Sequence, residues 1–225
     1  MSNKIKCAVF DLDGTLVNTI DDLAGATEIL LKNHNFESHW TLEDYFRFVG
    51  NGAKKLVERA FDETLDEKTL CERYEEFKPI YDKIKLDHAH AYDGVKEQLD
   101  ILKEKGIKLC VVTNKPDVAA HGMVEHIFGK GFFDVIIGCI DGVPTKPDPT
   151  TTFKALDAVG CIPKEAVFFG DSEVDMRTAK NAGIEAIGCS WGFRSFGVLF
   201  KENPSAIIDE PKSVSYTHLR AHETS

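Results

Sequence analysis

Short apolar runs of strand length alternate with longer segments whose apolar residues have helical spacing, and this alternation constrains the fold more than any other feature. The apolar runs are 5–10, 107–113, 135–137, 166–169 and 185–189. The segments with helical spacing are 95–105, 117–128, 150–159 and 172–182. Strands that are joined by helices run parallel and are covered on both faces. The sequence therefore predicts an α/β fold with a doubly wound, Rossmann-like parallel sheet.

The connection between the first two apolar runs is much longer than a strand-to-strand crossover requires, since about a dozen residues suffice for one. It contains segments with helical periodicity at 19–34, 42–48, 52–61 and 66–86. We predict an inserted α-helical cap domain over residues 18–90, with an α/β core formed by residues 1–17 and 91–212. Residues 213–225, SVSYTHLRAHETS, have no apolar periodicity and resemble an appended sequence, so we expect a non-native or disordered tail there.

Two carboxylates stand one residue apart directly after the first apolar run. Asp11 and Asp13 belong to the sequence DLDGT at 11–15. In an extended chain, residues i and i+2 point to the same side, so the two side chains can converge on one point. Like charges at this separation repel unless a cation or a shared proton lies between them. The pair therefore indicates a hard metal ion, a covalent nucleophile, or both.

Other polar groups follow later apolar runs. They are Thr113 with Asn114, Lys146 in the proline-rich loop 144–149, and Asp171 with Asp175. Each group alone has an ordinary explanation, such as a helix cap, a turn or a solvated lysine. Parallel strands end at a common edge, however, and open sheets of this kind bind their ligands there. We therefore expect these groups and the Asp11 pair to form one site.

In this order, the four motifs resemble those of the haloacid dehalogenase-like phosphohydrolases over about residues 5–211. The resemblance implies that Asp11 attacks phosphorus and forms an aspartyl-phosphate. It also implies that Asp13 protonates the leaving alcohol and then activates the hydrolytic water. The dehalogenases of this family lack the second Asp, because they have no leaving alcohol to protonate, so the resemblance is to the phosphatases.

The same resemblance implies a Mg²⁺ cofactor. Its ligands would be the side chains of Asp11 and Asp171 and the backbone carbonyl of Asp13. Asp175 lies one helical turn after Asp171 and would support that ligand shell.

Three further positions match the family's phosphoryl-binding residues. Thr113 and Asn114 would bind the phosphoryl oxygens. Lys146 would supply the positive charge that stabilises both the phosphate and the aspartyl-phosphate. These three are the predicted substrate-binding residues.

Two segments resemble the phosphoglycolate phosphatase subgroup: residues 48–60 in the predicted insertion, and VTNKP at 112–116. In the first, Gly50 and Gly52 bracket Asn51 at a helix start, where backbone N–H groups could meet a substrate carboxylate. A turn that caps the helix is the simpler interpretation. The resemblance implies an enzyme that hydrolyses a small phosphomonoester, with 2-phosphoglycolate as the best single expectation.

Several alternatives stay open at this point. A pyrophosphatase, a phosphosugar phosphatase and a phosphohexose mutase would share the core and differ in the cap. A mutase must keep water away from the aspartyl-phosphate, whereas a phosphatase must admit it. A non-catalytic binding or regulatory protein with this fold is a more remote alternative, because all four motifs are intact.

Composition limits the partners. The formal net charge is -10 at pH 7, whereas binders of nucleic acids or membrane surfaces use clustered Lys and Arg. No apolar stretch approaches the roughly 20 residues that span a bilayer, and the first residues show no signal-peptide pattern. We therefore expect a cytoplasmic enzyme that takes a small anionic phosphorylated metabolite and has no nucleic-acid or membrane partner. The sequence gives no signal for an oligomeric state.

Overall fold

The structure, a computed structural model, describes residues 4–62 and 64–215. The chain divides into two compact units. The larger comprises the described residues up to Val17 and from Ala91 onward, and the smaller is Asn18–His90. Among the described residues, no helix is long and apolar enough to cross a membrane.

The larger unit is built on a parallel sheet. The strands of the described chain are β1 (Cys7–Phe10), β2 (Val17–Asn18), β3 (His90–Ala91), β4 (Lys108–Pro116), β5 (Val135–Cys139), β6 (Ala166–Gly170), β7 (Glu185–Cys189) and β8 (Ala206–Ile208). Six of them form one sheet in the order β5-β4-β1-β6-β7-β8, and every neighbouring pair in it is parallel. Strands β2 and β3 pair where the chain passes between the units. The predicted α/β parallel sheet is confirmed.

The smaller unit is helical apart from these strand ends. Its helices are α1 (Ile20–Asn33), α2 (Leu42–Phe48), α3 (Ala53–Ala60) and α4 (Glu67–Ile84). Helix α2 begins with a capping box between Thr41 and Asp44, and the side chain of Asp66 caps α4 by accepting from the N–H of Thr69 at 2.7 Å. Apolar faces of α1 and α4 contribute Leu30, Leu31 and Phe77 to the interior.

Helices cover both faces of the large sheet. They are α5 (Val95–Glu104), α6 (Asp117–Phe128), α7 (Thr150–Ala158), α8 (Glu173–Ala182) and α9 (Phe196–Lys201), and short 3₁₀ helices lie at Pro163–Glu165 and Pro211–Ser213. All four residues of β1 are buried, as expected for a central strand that is covered on both sides. On one face Val9 and Phe168 pack in a cluster with Leu156. On the other, the rings of Phe10 and Phe169 stack at 4.9 Å.

The far edge of the sheet corrects the sequence analysis in two places. The apolar triplet of β8 was not predicted as a strand, yet it pairs with β7. For the tail at 213–225 we expected a non-native or a disordered segment, and disorder does not hold for its first three residues, because Ser213 ends a 3₁₀ helix and both Val214 and Ser215 are buried. Residues 216–225 of that predicted tail lie outside the described residues.

Candidate active site

Three buried carboxylates meet at the carboxyl edge of the sheet. Asp11 directly follows β1, Asp171 directly follows β6, and Asp175 lies in the first turn of α8. Carboxylate oxygens from the three residues lie within 4.8 Å of one another. The backbone N–H of Asp11 donates to the carbonyl of Phe169 at 3.0 Å, which fixes the ends of β1 and β6 side by side. Parallel pairing therefore concentrates negative charge at one buried point.

Two glycines make room for Asp171. Gly14 has φ +86°, in the left-handed region that favours glycine, and a Cβ there would collide with the carboxylate of Asp171. A Cβ at Gly192 would collide with the Cβ of Asp171 and with the carbonyl oxygen of Gly14. The glycine of the DLDGT motif is thus required by the close approach of this carboxylate.

Asp171 is held by neutral donors. Its Oδ1 accepts from the hydroxyl of Thr15 at 3.1 Å, and its Oδ2 accepts from the backbone N–H of Phe193 at 2.8 Å. Each carboxylate oxygen has more than one lone pair, so both can still coordinate a cation. The side chain is oriented without being neutralised.

Lys146 supplies a positive charge to this cluster. Its Nζ lies 2.8 Å from Oδ1 of Asp11 and 2.6 Å from Oδ1 of Asp175, and its side chain is 2% exposed. The Nζ also lies 5.7 Å from the centroid of the Phe168 ring. A single buried ammonium therefore bridges the first carboxylate of the DLDGT motif and the carboxylate on α8.

Asn114 positions the backbone of Lys146. Its Oδ1 accepts from the N–H of Lys146 at 2.9 Å, and its Nδ2 donates to the carbonyl oxygen of Lys146 at 3.1 Å. The side chain that the sequence analysis assigned to a phosphoryl oxygen thus holds the loop that carries the lysine. One N–H of its amide group is left for a further acceptor.

Asp175 completes the network. Its Oδ2 accepts from the backbone N–H of Ser172 at 3.0 Å and from the hydroxyl of Ser172 at 2.6 Å, in the capping box that starts α8. Its Oδ1 accepts from Lys146. With both oxygens engaged, Asp175 supports the cluster by fixing the ammonium and the helix start.

Three buried carboxylates lie beside one ammonium, and the pKa values of these groups are shifted as a result. Burial, and then the charge of Asp175, raise the pKa of Asp11 from 3.8 to about 7 despite the opposing effect of Lys146. Burial, and then the charges of Asp175 and Asp11, raise the pKa of Asp171 well above its usual range. Burial alone would lower the pKa of Lys146, but Asp11 and Asp175 raise it overall. One ammonium does not balance three buried carboxylates.

These residues fit a hard divalent cation. Carboxylate oxygens are the donors that Mg²⁺ and similar ions prefer. Asp11 and Asp171 each retain lone pairs, and the raised pKa values of both groups indicate a site that lacks positive charge. A divalent cation would supply it, and would lower both pKa values again.

Asp13 is paired with a residue that the sequence analysis did not select. The Nζ of Lys115 lies 3.0 Å from Oδ1 and 3.3 Å from Oδ2 of Asp13. The Lys115 side chain is 3% exposed and that of Asp13 is 15% exposed. Thr113 is also buried, and its Oγ1 accepts from the backbone N–H of Lys115 at 3.3 Å. The two carboxylates of the DLDGT motif therefore form ion pairs with different lysines, Asp11 with Lys146 and Asp13 with Lys115.

In the smaller unit, Arg59 organises the glycine-containing loop. Its guanidinium donates to the carbonyl of Phe48 at 2.8 Å and to Oδ1 of Asn51 at 2.9 Å. Gly50 and Gly52 have φ values of +106° and +86°. Gly52 is the N-cap residue of α3, which agrees with the simpler interpretation of this segment as a turn that caps the helix.

Comparisons with known proteins agree with this geometry. The family model of the haloacid dehalogenase-like hydrolases matches residues 8–189. A phosphoglycolate phosphatase of Pseudomonas syringae pv. tomato is 34% identical over 210 residues, which are 91% of this chain and 76% of that protein. A phosphoglycolate phosphatase of Haemophilus influenzae is 32% identical over 223 residues, which are 93% of this chain and 96% of that protein.

A solved structure shares the fold closely. The crystal structure of a protein from Lactobacillus delbrueckii subsp. bulgaricus superposes with a TM-score of 0.90 at 30% sequence identity. The match covers 96% of this chain and 98% of the other.

Proposed function

The chain belongs to the haloacid dehalogenase-like hydrolase family and is a phosphatase, and we propose that it hydrolyses 2-phosphoglycolate through a phosphoryl group carried on Asp11. The observation that carries this proposal is the buried contact of Lys146 with Asp11 beside Asp171. The substrate follows from the relatives of about 30% identity that are named for it.

Asp11 is the proposed nucleophile. One of its oxygens would attack phosphorus, so that a new P–O bond forms as the bond to the leaving alcohol breaks. A carboxylate attacks an anionic phosphate poorly unless the negative charge is neutralised. Lys146 lies at 2.8 Å from Oδ1 of Asp11 and would reduce this repulsion throughout the reaction.

Asp13 is the proposed acid and base. Its carboxyl proton would pass to the leaving oxygen in the first step. In the second step the carboxylate would take a proton from the water that attacks phosphorus, which releases inorganic phosphate and restores Asp11. Its carboxylate is the more exposed of the two in the DLDGT motif, as a group that meets both alcohol and water should be.

The proposed cofactor is Mg²⁺, held by the side chains of Asp11 and Asp171 and by the backbone carbonyl of Asp13. When bound, it would draw negative charge from the phosphoryl oxygens and keep Asp11 ionised. Asp175 would keep Lys146 in place, since it accepts from that ammonium at 2.6 Å.

Thr113 and Asn114 are the proposed phosphoryl-binding residues. The hydroxyl of Thr113 can donate to a phosphoryl oxygen while it accepts from Lys115. Asn114 would use its remaining amide N–H and also align Lys146. A small anionic phosphorylated metabolite is the only partner that we propose, and the cytoplasmic location stays a prediction from the sequence.

A substrate panel tests this function. Phosphate release is measured with Mg²⁺ for 2-phosphoglycolate, pyrophosphate, hexose phosphates and p-nitrophenyl phosphate. We expect kcat/KM for 2-phosphoglycolate to exceed the others by about tenfold or more. Higher efficiency with pyrophosphate or a hexose phosphate would contradict the proposed substrate. Isomerisation of a hexose phosphate without phosphate release would contradict the hydrolytic reaction itself.

A further inference from the structure

The loop after β7 lies against Asp171. Residues 190–195 connect β7 to α9, and the backbone N–H of Phe193 in this loop donates to Oδ2 of Asp171 at 2.8 Å. A Cβ at Gly192 would collide with the Cβ of Asp171, so the loop backbone and this side chain are in direct contact. The position of the loop therefore affects the orientation of a proposed metal ligand.

The beginning of the loop is fastened to the DLDGT motif. The indole N–H of Trp191 donates to the carbonyl oxygen of Thr15 at 3.1 Å. The hydroxyl of Thr15 in turn donates to Oδ1 of Asp171 at 3.1 Å. The residue that anchors this end of the loop thus also holds the second oxygen of the same carboxylate.

The end of the loop is fastened by an ion pair. Nε of Arg194, the residue that follows Phe193, lies 3.0 Å from Oε2 of Glu173. The two side chains are 9% and 23% exposed, so the pair is largely shielded from solvent. Glu173 is the first residue of α8 and stands two positions after Asp171. The pair therefore connects the loop that carries the N–H donor to the chain segment that carries its acceptor.

This ion pair lies where negative charge is already in excess. Glu173 stands two positions from both Asp171 and Asp175, whose carboxylates form a buried cluster with that of Asp11. Arg194 balances the charge that Glu173 adds there. An ion pair that is shielded from solvent contributes little net stability, because desolvation offsets its attraction. Its structural effect is to fix the distance between the loop and the start of α8.

Building on the proposed metal site, we propose that Glu173 and Arg194 are positioning residues that raise the affinity of Asp171 for a divalent cation. They hold the N–H of Phe193 against Oδ2 of Asp171, so the carboxylate is oriented before the cation binds. A site that is oriented in advance loses less conformational entropy on binding. Removal of a group that orients a metal ligand typically lowers metal affinity by about 10-fold to 100-fold.

The sign of the effect separates positioning from charge alone. Arg194 is a cation near a proposed cation site, so its charge by itself repels the ion. If charge alone acted, Arg194→Met would strengthen metal binding, whereas loss of positioning would weaken it. Glu173→Gln is expected to weaken binding through either effect. The Arg194 variant is therefore the one that distinguishes them.

Binding of Mn²⁺ to the metal-free protein measures this affinity without turnover. The ion is titrated into protein that has been treated with EDTA and desalted, and the electron paramagnetic resonance signal of free Mn²⁺ gives the dissociation constant. We expect Arg194→Met to raise this constant by about tenfold, and Glu173→Gln to raise it by a similar factor. Circular dichroism checks that each variant is folded. If Arg194→Met does not fold, Arg194→Gln takes its place.

The double variant tests whether the two residues act through each other. Arg194 makes a further interaction besides the one with Glu173, so its single variant does not isolate the pair. The double variant should bind Mn²⁺ as weakly as either single variant, within about threefold. A return to the wild-type constant would show that charge alone acts. A constant raised by the product of the two single effects would show that the residues act independently. Either result would overturn the proposal.

Two further variants serve as controls. Arg177 on α8 forms another Arg–Glu pair, with Glu202 at 2.6 Å, and the two side chains are 54% and 20% exposed. Arg177→Met makes the same change on the same helix and should leave the Mn²⁺ constant unchanged within about twofold. Arg194→Lys keeps the positive charge beside Glu173 and should retain wild-type binding within about threefold.

A site variant separates this proposal from the proposed function. Asp171→Asn should raise the Mn²⁺ dissociation constant by about 100-fold or more, because a ligand is lost. If Asp171→Asn bound Mn²⁺ as the wild type does, the proposed metal site would be wrong, and the positioning role with it. If Asp171→Asn lost binding while Arg194→Met bound as tightly as the wild type or more tightly, the metal site would stand and the positioning role would be overturned.

Discussion

Charged side chains of the same types behave differently at the carboxyl edge of the sheet and on the helices of the smaller unit. At the edge, the Lys146–Asp175 pair has side chains that are 2% and 0% exposed. On α4, the Lys68–Glu72 pair has side chains that are 86% and 56% exposed, with atoms 3.8 Å apart. One pair is buried in a network, and the other lies in solvent.

Burial decides where a charge affects the free energy of unfolding. Solvent and salt screen exposed pairs, which contribute little to stability. A buried charge that loses its partner is not screened by solvent. Removing one member of a buried ion pair therefore lowers the free energy of unfolding strongly. Identical substitutions in the two regions should therefore have very different effects, and the following predictions use that contrast.

The largest effect is expected for Asp11→Asn. The amide keeps the shape of the side chain but cannot form the aspartyl-phosphate, so kcat should fall by about 10⁴-fold. Phosphate release from 2-phosphoglycolate measures it. The matched control is Asp82→Asn, whose carboxylate is 61% exposed and paired with Lys85 on the helical unit. Wild-type turnover in Asp11→Asn would remove this residue from the mechanism.

Lys146→Met should impair both activity and stability. The substitution leaves Asp11 and Asp175 buried without their ammonium, so the free energy of unfolding should fall by about 3–5 kcal/mol. The value of kcat should fall by about 10³-fold, because the charge beside the proposed nucleophile is lost. Urea unfolding and phosphate release measure the two effects. Unchanged stability would contradict the buried network.

The metal-free protein should lose stability as pH rises. Because the folded pKa of Asp11 is raised from 3.8 to about 7, the folded state binds more protons than the unfolded chain between these values. The free energy of unfolding should therefore fall as pH rises from about 5 to about 7, with a slope on the order of 1 kcal/mol per pH unit.

Urea unfolding in EDTA measures this slope. His88, whose pKa a hydrogen bond to Asp22 raises, adds a slope of the same sign, so the diagnostic quantity is the difference between the wild type and Asp11→Asn. The slope should be smaller in the variant. Equal slopes would show that Asp11 titrates normally.

The smallest effect is expected for Lys68→Met, which makes the same change as Lys146→Met but at an exposed site. The melting temperature should shift by no more than about 1 °C, and kcat should change by less than about twofold. Thermal melts and the phosphate assay measure both. A loss comparable with that of Lys146→Met would contradict the distinction between the two regions.

Much of the fold and of the site could be predicted from local sequence. Asp11 and Asp171 were predicted at a common edge because each follows an apolar strand, and parallel strands end together. Lys115 was missed because its pairing with Asp13 depends on the register of β1 against β4, where Phe10 lies opposite Val111. Its place in the VTNKP segment, directly after Thr113 and Asn114, was a local signal that Lys115 lies near the site, but it did not indicate the pairing with Asp13.

Two other differences also arise from long-range contacts. Asn114 holds the backbone of Lys146, which is 32 positions away in the chain, so its local sequence could not reveal that role. Strand β8 has three residues, too few for an apolar period, and it is defined by its pairing with β7. Register and edge pairing were thus beyond what motif spacing could predict.

In the proposed mechanism Asp11 carries the phosphoryl group, and chemical trapping can identify the residue that does so. The enzyme is mixed with 2-phosphoglycolate and Mg²⁺, quenched in acid during turnover and reduced with borohydride, which converts an aspartyl-phosphate to homoserine. Peptide 7–32, released by trypsin, contains both carboxylates of the DLDGT motif. Mass spectrometry should find homoserine in place of Asp11, and only when substrate is present. Conversion at Asp13, or no conversion in an enzyme that is turning over, would show that Asp11 does not carry the phosphoryl group.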